Sequence, residues 1–554
     1  MKYSAIPMPD LKSGRALIKI DRFLGCDYRA GSLLDDIRRS PDALNMDFGE
    51  EMHTVVKRTG FTPLINTALN GRVNGFHRLK TDGAEHRLIH AGTTLYHLTS
   101  GEPAVIYTGM ADAPSSSFAF GDKLYILDGK AYLEFDGLSA AEASDTAYVP
   151  VTAAGGLAHE RPNLLTGARR NIFYGNGSAR MFYLDSRNID GLAAHAYIGG
   201  TLTPEGSGLT VNRAAGSVEF ANTPQNGAEI EVWFSKTDES KAALINKCRY
   251  FSFESDGGAA IWLYGNPDAP QTAHLSKPPD PRYFPDGESV FFSSEDDCIA
   301  PRSVCRFGGE RLSLTPRGLC AETAPISGGA NRSMLINRLL TAENGLEDAV
   351  SVVIKHKLYL FINSSVYVAD SRFGLNGGQY EWHRWTGVPA TAAAAWDSQL
   401  IFGTADGGVY RFMTAADGND IYSDLDRPVR AYWTTPFLGT PVTGGREWTR
   451  RKNAASAAVT LQPFLRSGAE IYAAAEDEGY RLIKSVNTGL LDFSGIDFGG
   501  FIFDCIDRPR TVTVKNAARR FESLRLMIKN DSPEGLGLIA AEIGITAGAE
   551  VKGV

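Results

Sequence analysis

One short strand–turn–strand unit recurs through this chain, and it limits the possible folds more than any other feature. Phe120-Gly121-Asp122-Lys123-Leu124-Tyr125-Ile126 resembles Ile354-Lys355-His356-Lys357-Leu358-Tyr359-Leu360, and both resemble Trp396-Asp397-Ser398-Gln399-Leu400-Ile401-Phe402. Each is followed by a turn and a second strand carrying Ala131-Tyr132, Val366-Tyr367 or Val409-Tyr410. In the first copy the turn contains Asp128-Gly129, a hairpin signal because tight turns need positive φ. Leu358 and Leu400 lie 42 positions apart, near the roughly 40–45 residues of one four-stranded propeller blade. A weaker copy, Gly309 to Leu314, places Leu312 46 positions before Leu358. A blade cannot cover both faces of its sheet alone, so such units stack around an axis. The reading is an all-β chain built on a β-propeller. Unrelated hairpins in a sandwich are the competing arrangement.

The pattern also divides the chain. Residues 1–40 read as an N-terminal arm, and 41–138 with 249–414 as the propeller. Residues 139–248 read as a linker plus an inserted small β-module, with 415–554 as a C-terminal β-sandwich-like domain. Leu138 to Ala158 is rich in Ala, Ser, Thr and Gly, as linkers are. The module's clearest part is Gly216 to Phe220, then Asn226-Gly227, then Glu229 to Phe234: strand, turn, strand. In the last domain Leu524, Leu526 and Ile528 share one strand face, with Phe521, Ser523, Arg525, Met527 and Lys529 on the other. Helix is expected at Ser32 to Ser40 and at Met334 to Val350, where Leu335, Leu339 and Leu340 fall at helical spacing.

Charge excludes some functions. The 554 residues carry 56 Lys+Arg and 64 Asp+Glu, a net −8, whereas a dedicated nucleic-acid binder is normally basic. The aromatic fraction, 10%, favours sheet over helix. Cys26, Cys248, Cys298, Cys305, Cys320 and Cys505 are scattered and include no C-x-x-C pair, so they imply neither a disulfide framework nor a zinc site. They read as small apolar thiols. No run of about 18 apolar residues suggests a membrane span, and Met1 to Ile20 lacks the apolar core of a signal peptide.

Catalytic patterns are weak. There is no G-x-S-x-G elbow and no H-E-x-x-H. Gly175-Asn176-Gly177-Ser178 lacks the G-K-[ST] ending of a phosphate loop and reads as a turn. His86 and His90 would share a helical face, but Arg87-Leu88-Ile89 reads as strand, which sets them about 13 Å apart. Glu295-Asp296-Asp297 is an acidic run, read as a solvated loop. Ser255-Asp256-Gly257 only approaches a sialidase-type blade signature. No catalytic residue, cofactor or metal is expected. Trp382 and Trp385 are a candidate sugar platform, against the plainer reading of sheet packing. The candidate interaction surface is Arg446, Arg450, Arg451 and Lys452 beside Trp448, since cations interleaved with an aromatic hold nucleic acid. A solvated strand edge or subunit contact is the plainer alternative there.

Several segments together resemble a known family. Pro41 to Met46 followed by Val56-Lys57-Arg58-Thr59-Gly60-Phe61 resembles the "N-M, then R-x-G-F" opening of bacteriophage tail proteins. Ile261 to Pro267 with Asp280 to Pro285 is similar to that family's "G-N-P … D-P-x-Y-F-P" pair. Tyr380 to Trp385, Leu400 to Tyr410 and Arg520 to Leu526 with Gly537 to Ile545 resemble further segments. The resemblance implies a structural virion protein, similar to tail nozzle or packaged-DNA stabilisation proteins of short-tailed phages. It implies a homo-oligomeric ring, often of six copies, around the DNA exit channel. Other tail or head–tail connector proteins would be its neighbours, with viral DNA passing through the lumen without sequence specificity. The expected location is the virion tail, assembled in the host cytoplasm. An acidic lumen would let DNA pass without adhesion. A carbohydrate-binding or glycan-cleaving β-propeller used in host adsorption is the alternative.

Overall fold

The computed structural model describes residues 15–29, 36–99, 101–253, 260–276, 280–291, 298–321, 330–418, 420–438, 450–464, 467–476, 478–487 and 508–550. Sheet dominates them. The α-helices among the described residues are Glu239–Asn246 and Asn337–Leu340. Of the stretch expected to be helical at 334–350, only four residues form an α-helix, a 3-10 turn follows at Leu346–Asp348, and Val350 already begins a strand. Residues 36–40, the described part of the other expected helix, form a turn and a bridge. Gly345, at φ 72, interrupts the longer pattern, and Leu335 and Leu340 are both buried, one before the short helix and one at its end.

The chain forms two compact units, residues 1–68 with 296–554, and residues 69–295. These units do not follow the boundaries read from the sequence, which placed 41–138 and 249–414 together.

The recurring hairpin is real. Its copies open antiparallel meander sheets: Ser116–Phe120 to Ala140–Glu142 in the second unit, and Val350–Ile354 to Glu381–Thr386 in the first. The copy at Ala392–Trp396 to Val409–Phe412 gains its fourth strand, Phe61–Pro63, from the start of the chain. The weak copy is a three-stranded sheet, Cys305–Phe307 to Gly318–Ala321. In all four a two-residue turn joins strands one and two, and its first residue has positive φ: Gly121 58, Gly308 58, Lys355 54 and Asp397 50. Leu124, Leu358 and Leu400 occupy equivalent places in the second strands and are all buried, whereas in the weak copy that place is Arg311 and the buried Leu312 comes one residue later. The repeat therefore lies in turn geometry, with one core position shared by three of the copies, which is why its sequence identity is faint.

In the second unit, further meanders are Val73–Thr81 to Glu102–Thr108 and Tyr250–Phe253 to Ser289–Phe291. Between 151 and 235 lies a module of a six-stranded and a three-stranded sheet around Val218, Phe220, Ile230 and Val232. The Asn226-Gly227 turn is present, but its flanking strands do not pair. Ser217–Phe220 joins the small sheet while Glu229–Ser235 joins the large one, pairing with Ala168–Tyr174 and His195–Ile198. The supposed linker is also structured: Ala140–Glu142 completes a meander, and Val151–Ala154 is a mostly buried strand.

In the first unit, two sheets face each other as a sandwich. One contains Arg450–Leu461 between Gly537–Glu550 and Arg510–Phe521; the other runs Ala431–Thr434, Leu524–Asn530, Gly468–Ala475, Arg481–Asn487. The chain changes sheet at Glu522-Ser523, and the alternation expected after it holds, with Leu524, Leu526 and Ile528 fully buried. The segment read as a separate arm belongs to this sandwich: Arg15–Ile20 pairs with Gly537–Glu550, and Phe23 packs edge-on against Trp433 at 4.8 Å. Ala43–Leu44 and Met46–Phe48 add short strands to opposite sheets.

Candidate functional site

Some of the residues that carried the sequence resemblance, Asn45, Arg58 and Trp385 among them, meet within the first unit at one buried polar joint. Asn45, between two short strands, adopts φ 53, a left-handed conformation that Asn tolerates. Its Oδ1 accepts from Arg58 Nε at 3.1 Å and from the Thr386 amide at 2.8 Å, while Nδ2 donates to the Arg430 carbonyl at 2.8 Å. The side chain thus ties three separate segments.

Arg58 is 2% exposed and uses every donor it has. Nη1 and Nη2 grip the Asp424 carboxylate at 2.8 and 2.6 Å. The other two Nη hydrogens reach the carbonyls of Thr59 and Thr386, both at 3.0 Å, and Nε reaches Asn45. The guanidinium also lies 5.9 Å from the centre of the Trp385 ring. Two positions later, a Cβ on Gly60 would fall 1.8 Å from the Ser423 carbonyl oxygen, so only glycine fits that approach. Phe61 then begins the strand on Phe412 and meets Phe402 edge-on at 4.9 Å. Each fixed letter of the "R-x-G-F" pattern therefore has a packing reason.

Lys57 points the other way and is 1% exposed. Its Nζ donates to Asn530 Oδ1 at 2.7 Å, Ser532 O at 2.6 Å and Glu534 O at 3.3 Å. Burial, and then the neighbouring Arg58 charge, pushes its pKa down to about 7. The three acceptors match the three hydrogens of the charged form and act against that shift.

The other motif residues behave alike. Glu381, fully buried, is clamped by Arg39, with Nε to Oε2 at 3.1 Å. Trp382 Nε1 donates to Arg332 O at 3.0 Å and Trp385 Nε1 to Met46 O at 2.9 Å. Both rings are buried, so the sugar-platform reading of this pair is overturned; three positions apart on a strand, they face opposite ways. His383 Nδ1 lies 3.6 Å from Cys26 Sγ, but the pair is sealed. Burial pushes the imidazole down to about 3 and the thiol up to about 12, which leaves both neutral and unreactive. In the second unit, Asn266 of "G-N-P" donates to the Ala243 and Leu244 carbonyls and so caps the helix Glu239–Asn246. Phe284 of the downstream motif is fully buried, and Asn163 braces its amide at 3.1 Å.

Two cavities flank the Arg58 joint. The first, about 480 Å³, is lined by Lys57, Lys357, Tyr359, Trp385 and Tyr422. Lys357 is already paired to Asp47 at 2.7 Å. The second, about 810 Å³, is lined by Phe402, Tyr410, Asp406, Asp424 and Asp426. Asp424 is held by Arg58, and a hydrogen bond from the Thr404 hydroxyl lowers the Asp406 pKa. Among the described residues, every carboxyl group with a resolved shift is shifted downward.

Only part of the basic cluster falls among the described residues. Arg446 and Trp448 lie outside the described residues. Arg450, Arg451 and Lys452 lie on the strand Arg450–Leu461, where Arg451 and Lys452 fall on opposite faces. Arg451 is exposed, while Lys452 is 4% exposed and donates to Glu522 O at 2.9 Å. His90 is buried and bonded to Ser115 Oγ and Gly92 O; His86 contacts His97 at 3.3 Å. Gly175 to Ser178 form a turn in which Asn176 Oδ1 accepts the Ser178 and Ala179 amides. Glu295-Asp296-Asp297, Ser255-Asp256-Gly257 and Cys505 lie outside the described residues; the other five cysteines are free thiols. No helix among the described residues is long and apolar enough to cross a membrane.

No family model matches the chain, and no curated protein sequence is significantly similar to it. Some solved structures align weakly with the chain. PorZ, a surface component of the type-IX secretion system of Porphyromonas gingivalis, aligns with 69% of this chain at 11% identity and a TM-score of 0.27. The chain spans 44% of that protein's length. The extracellular domain of a B. thetaiotaomicron one component system aligns with 85% of this chain, and 61% of its own, at 12% identity and a TM-score of 0.30. An exo-β-1,3-galactanase from Phanerochaete chrysosporium aligns with 78% of this chain and 95% of its own at 8% identity and a TM-score of 0.21. Likeness this weak carries no argument about activity.

Proposed function

We propose that this chain is a structural component of a bacteriophage tail, without catalysis, assembling as a symmetric ring around the DNA exit channel as a nozzle or connector. The observation that carries the reading is the fate of the motif residues. Asn45, Arg58, Gly60, Glu381, Trp382 and Trp385 are all committed to holding segments together, and although Asn45, Arg58 and Trp385 border the two cavities, none brings a free reactive group to them. Residues spent this way suit a part that must keep its shape under load. The resemblance of those motifs to phage tail proteins supplies the particular setting. In this reading the meander sheets are blades of one propeller. Phe61–Pro63 is its closing strand, since it joins the start of the chain to the sheet that ends at Phe412.

The test is quantitative mass spectrometry of density-purified phage particles that encode the chain. The reading expects it in fixed stoichiometry to other virion proteins, in a copy number compatible with ring symmetry. A chain absent from particles and recovered as a free monomer would refute the proposal.

A further inference from the structure

Two strands close the same side of the C-terminal sandwich. Arg481–Asn487 is the last strand of one sheet and Arg510–Phe521 the last of the other. Arg481 Nη2 donates across to Ala517 O at 3.3 Å. Neither strand contains an acidic residue. Arg481, Lys484, Arg510, Lys515, Arg519 and Arg520 are all exposed on them. None of the six forms an ion pair with a described residue, unlike Arg58, Arg332 or Arg372 in the same unit. Positive φ at Asn516 and Arg520 and shifts in register mark bulges along Arg510–Phe521. They break the alternation so that Lys515 with Asn516, and Arg519 with Arg520, are exposed as neighbours.

We propose that this edge is a binding strip for duplex DNA, held through the phosphate backbone. From Arg510 to Arg520 the cations extend roughly 30 Å at strand rise, close to one turn of B-DNA at about 34 Å. Exposed Thr511, Thr513, Ser485 and Asn516 stand between them and suit phosphate oxygens as hydrogen-bond donors. Phe521, the one aromatic residue of the two strands, is fully buried, so these strands offer no platform for stacked bases and favour duplex over single strand. Leu482 is the one exposed large apolar side chain of these strands, too little for the buried anchor of a protein interface. Charges and bulges also protect sheet edges from pairing. Mixed signs would serve that purpose equally well, and here every charge is positive. On a chain of net −8 the strip is a local reversal, so binding is weak and steeply salt-dependent.

The inference does not depend on the tail reading, since DNA binding and particle incorporation are measured separately. The experiment is fluorescence anisotropy of the full-length chain with a labelled duplex of about 30 base pairs and arbitrary sequence, over roughly 20–200 mM salt. The expected log–log slope is about −4 to −5. R510Q/K515Q/R519Q/R520Q, checked for an unchanged melting curve, loses at least about tenfold in affinity and reduces the slope by about 3. R78Q/K80Q, exposed cations of the other unit, leaves both unchanged. No binding at the lowest salt, an unaffected quadruple variant, or polyglutamate competing as well as duplex would overturn the proposal, the last in favour of an acidic protein partner.

Discussion

Replacing Arg58 with Met keeps most of the side-chain volume and removes five hydrogen bonds at once. It leaves Asp424, whose side chain is 19% exposed, without its cation, and it leaves the Thr59 and Thr386 carbonyls unpaired. Asn45 Oδ1 keeps its bond from the Thr386 amide. Breaking a buried pair by removing one partner costs about 3–5 kcal/mol, and the stranded Asp424 accounts for most of it. Arg58→Lys keeps the charge but not the planar fork, so it recovers only part of that loss. In R58M/D424L no charge is left stranded, so the double variant is more stable than the sum of the single losses predicts, by roughly 2 kcal/mol or more. Because the chain has two compact units, a global melt mixes them, and the assay is hydrogen exchange on peptides spanning 384–388 and 421–430. A loss under about 1 kcal/mol in R58M, or strict additivity in the double variant, would refute the claim that this pair is the joint's fastener.

Lys57 has its folded pKa pushed down to about 7 from 10.5, so between those values the unfolded chain holds more protons and stability contributed by this site rises with pH. Comparing wild type with Lys57→Met by urea titration across that window shows this as a positive slope in their difference. It stays well below the ceiling of about 1.4 kcal/mol per pH unit, because three acceptors hold the ammonium. Trp385→Phe loses the bond to Met46 O and leaves a gap beside Arg58, for about 1–3 kcal/mol by the same exchange assay. Gly60→Ala places a methyl against the Ser423 backbone and is expected to abolish accumulation of folded protein, read by soluble yield and circular dichroism. At Lys355, with φ 54, substitution by Asn raises the unfolding midpoint, since Asn accepts the left-handed conformation more readily.

The legible part of the fold was local. Alternation gave the faces of Leu524–Asn530, and positive-φ turns gave the repeated hairpins. Pairing between distant segments was not legible. Phe61–Pro63 meets Val409–Phe412, and Arg15–Ile20 meets Gly537–Glu550, across hundreds of residues that no periodicity spans. The Asn226-Gly227 turn misled for a related reason: the dipeptide specifies a reversal, while the strands' partners are chosen by core residues on other strands. Within the basic cluster Arg451 is exposed and Lys452 buried, because neighbours in a strand point to opposite faces, a split that composition does not show. The strip at Arg510 to Arg520 was missed because its cations are spread along a strand and its bulges are visible only as φ values. Arg58 and Asp424 are 366 positions apart, and nothing in composition marks them as a pair.

The central claim, that these joints brace a ring-forming virion part and not a catalyst, is tested most directly by locating the chain in a particle. Cryo-electron microscopy of purified phage, with the subunit labelled by a specific antibody fragment, should show rotationally repeated copies around the tail channel. Particles whose tail density lacks the label, together with a monomeric free chain that turns over a glycan, would contradict it.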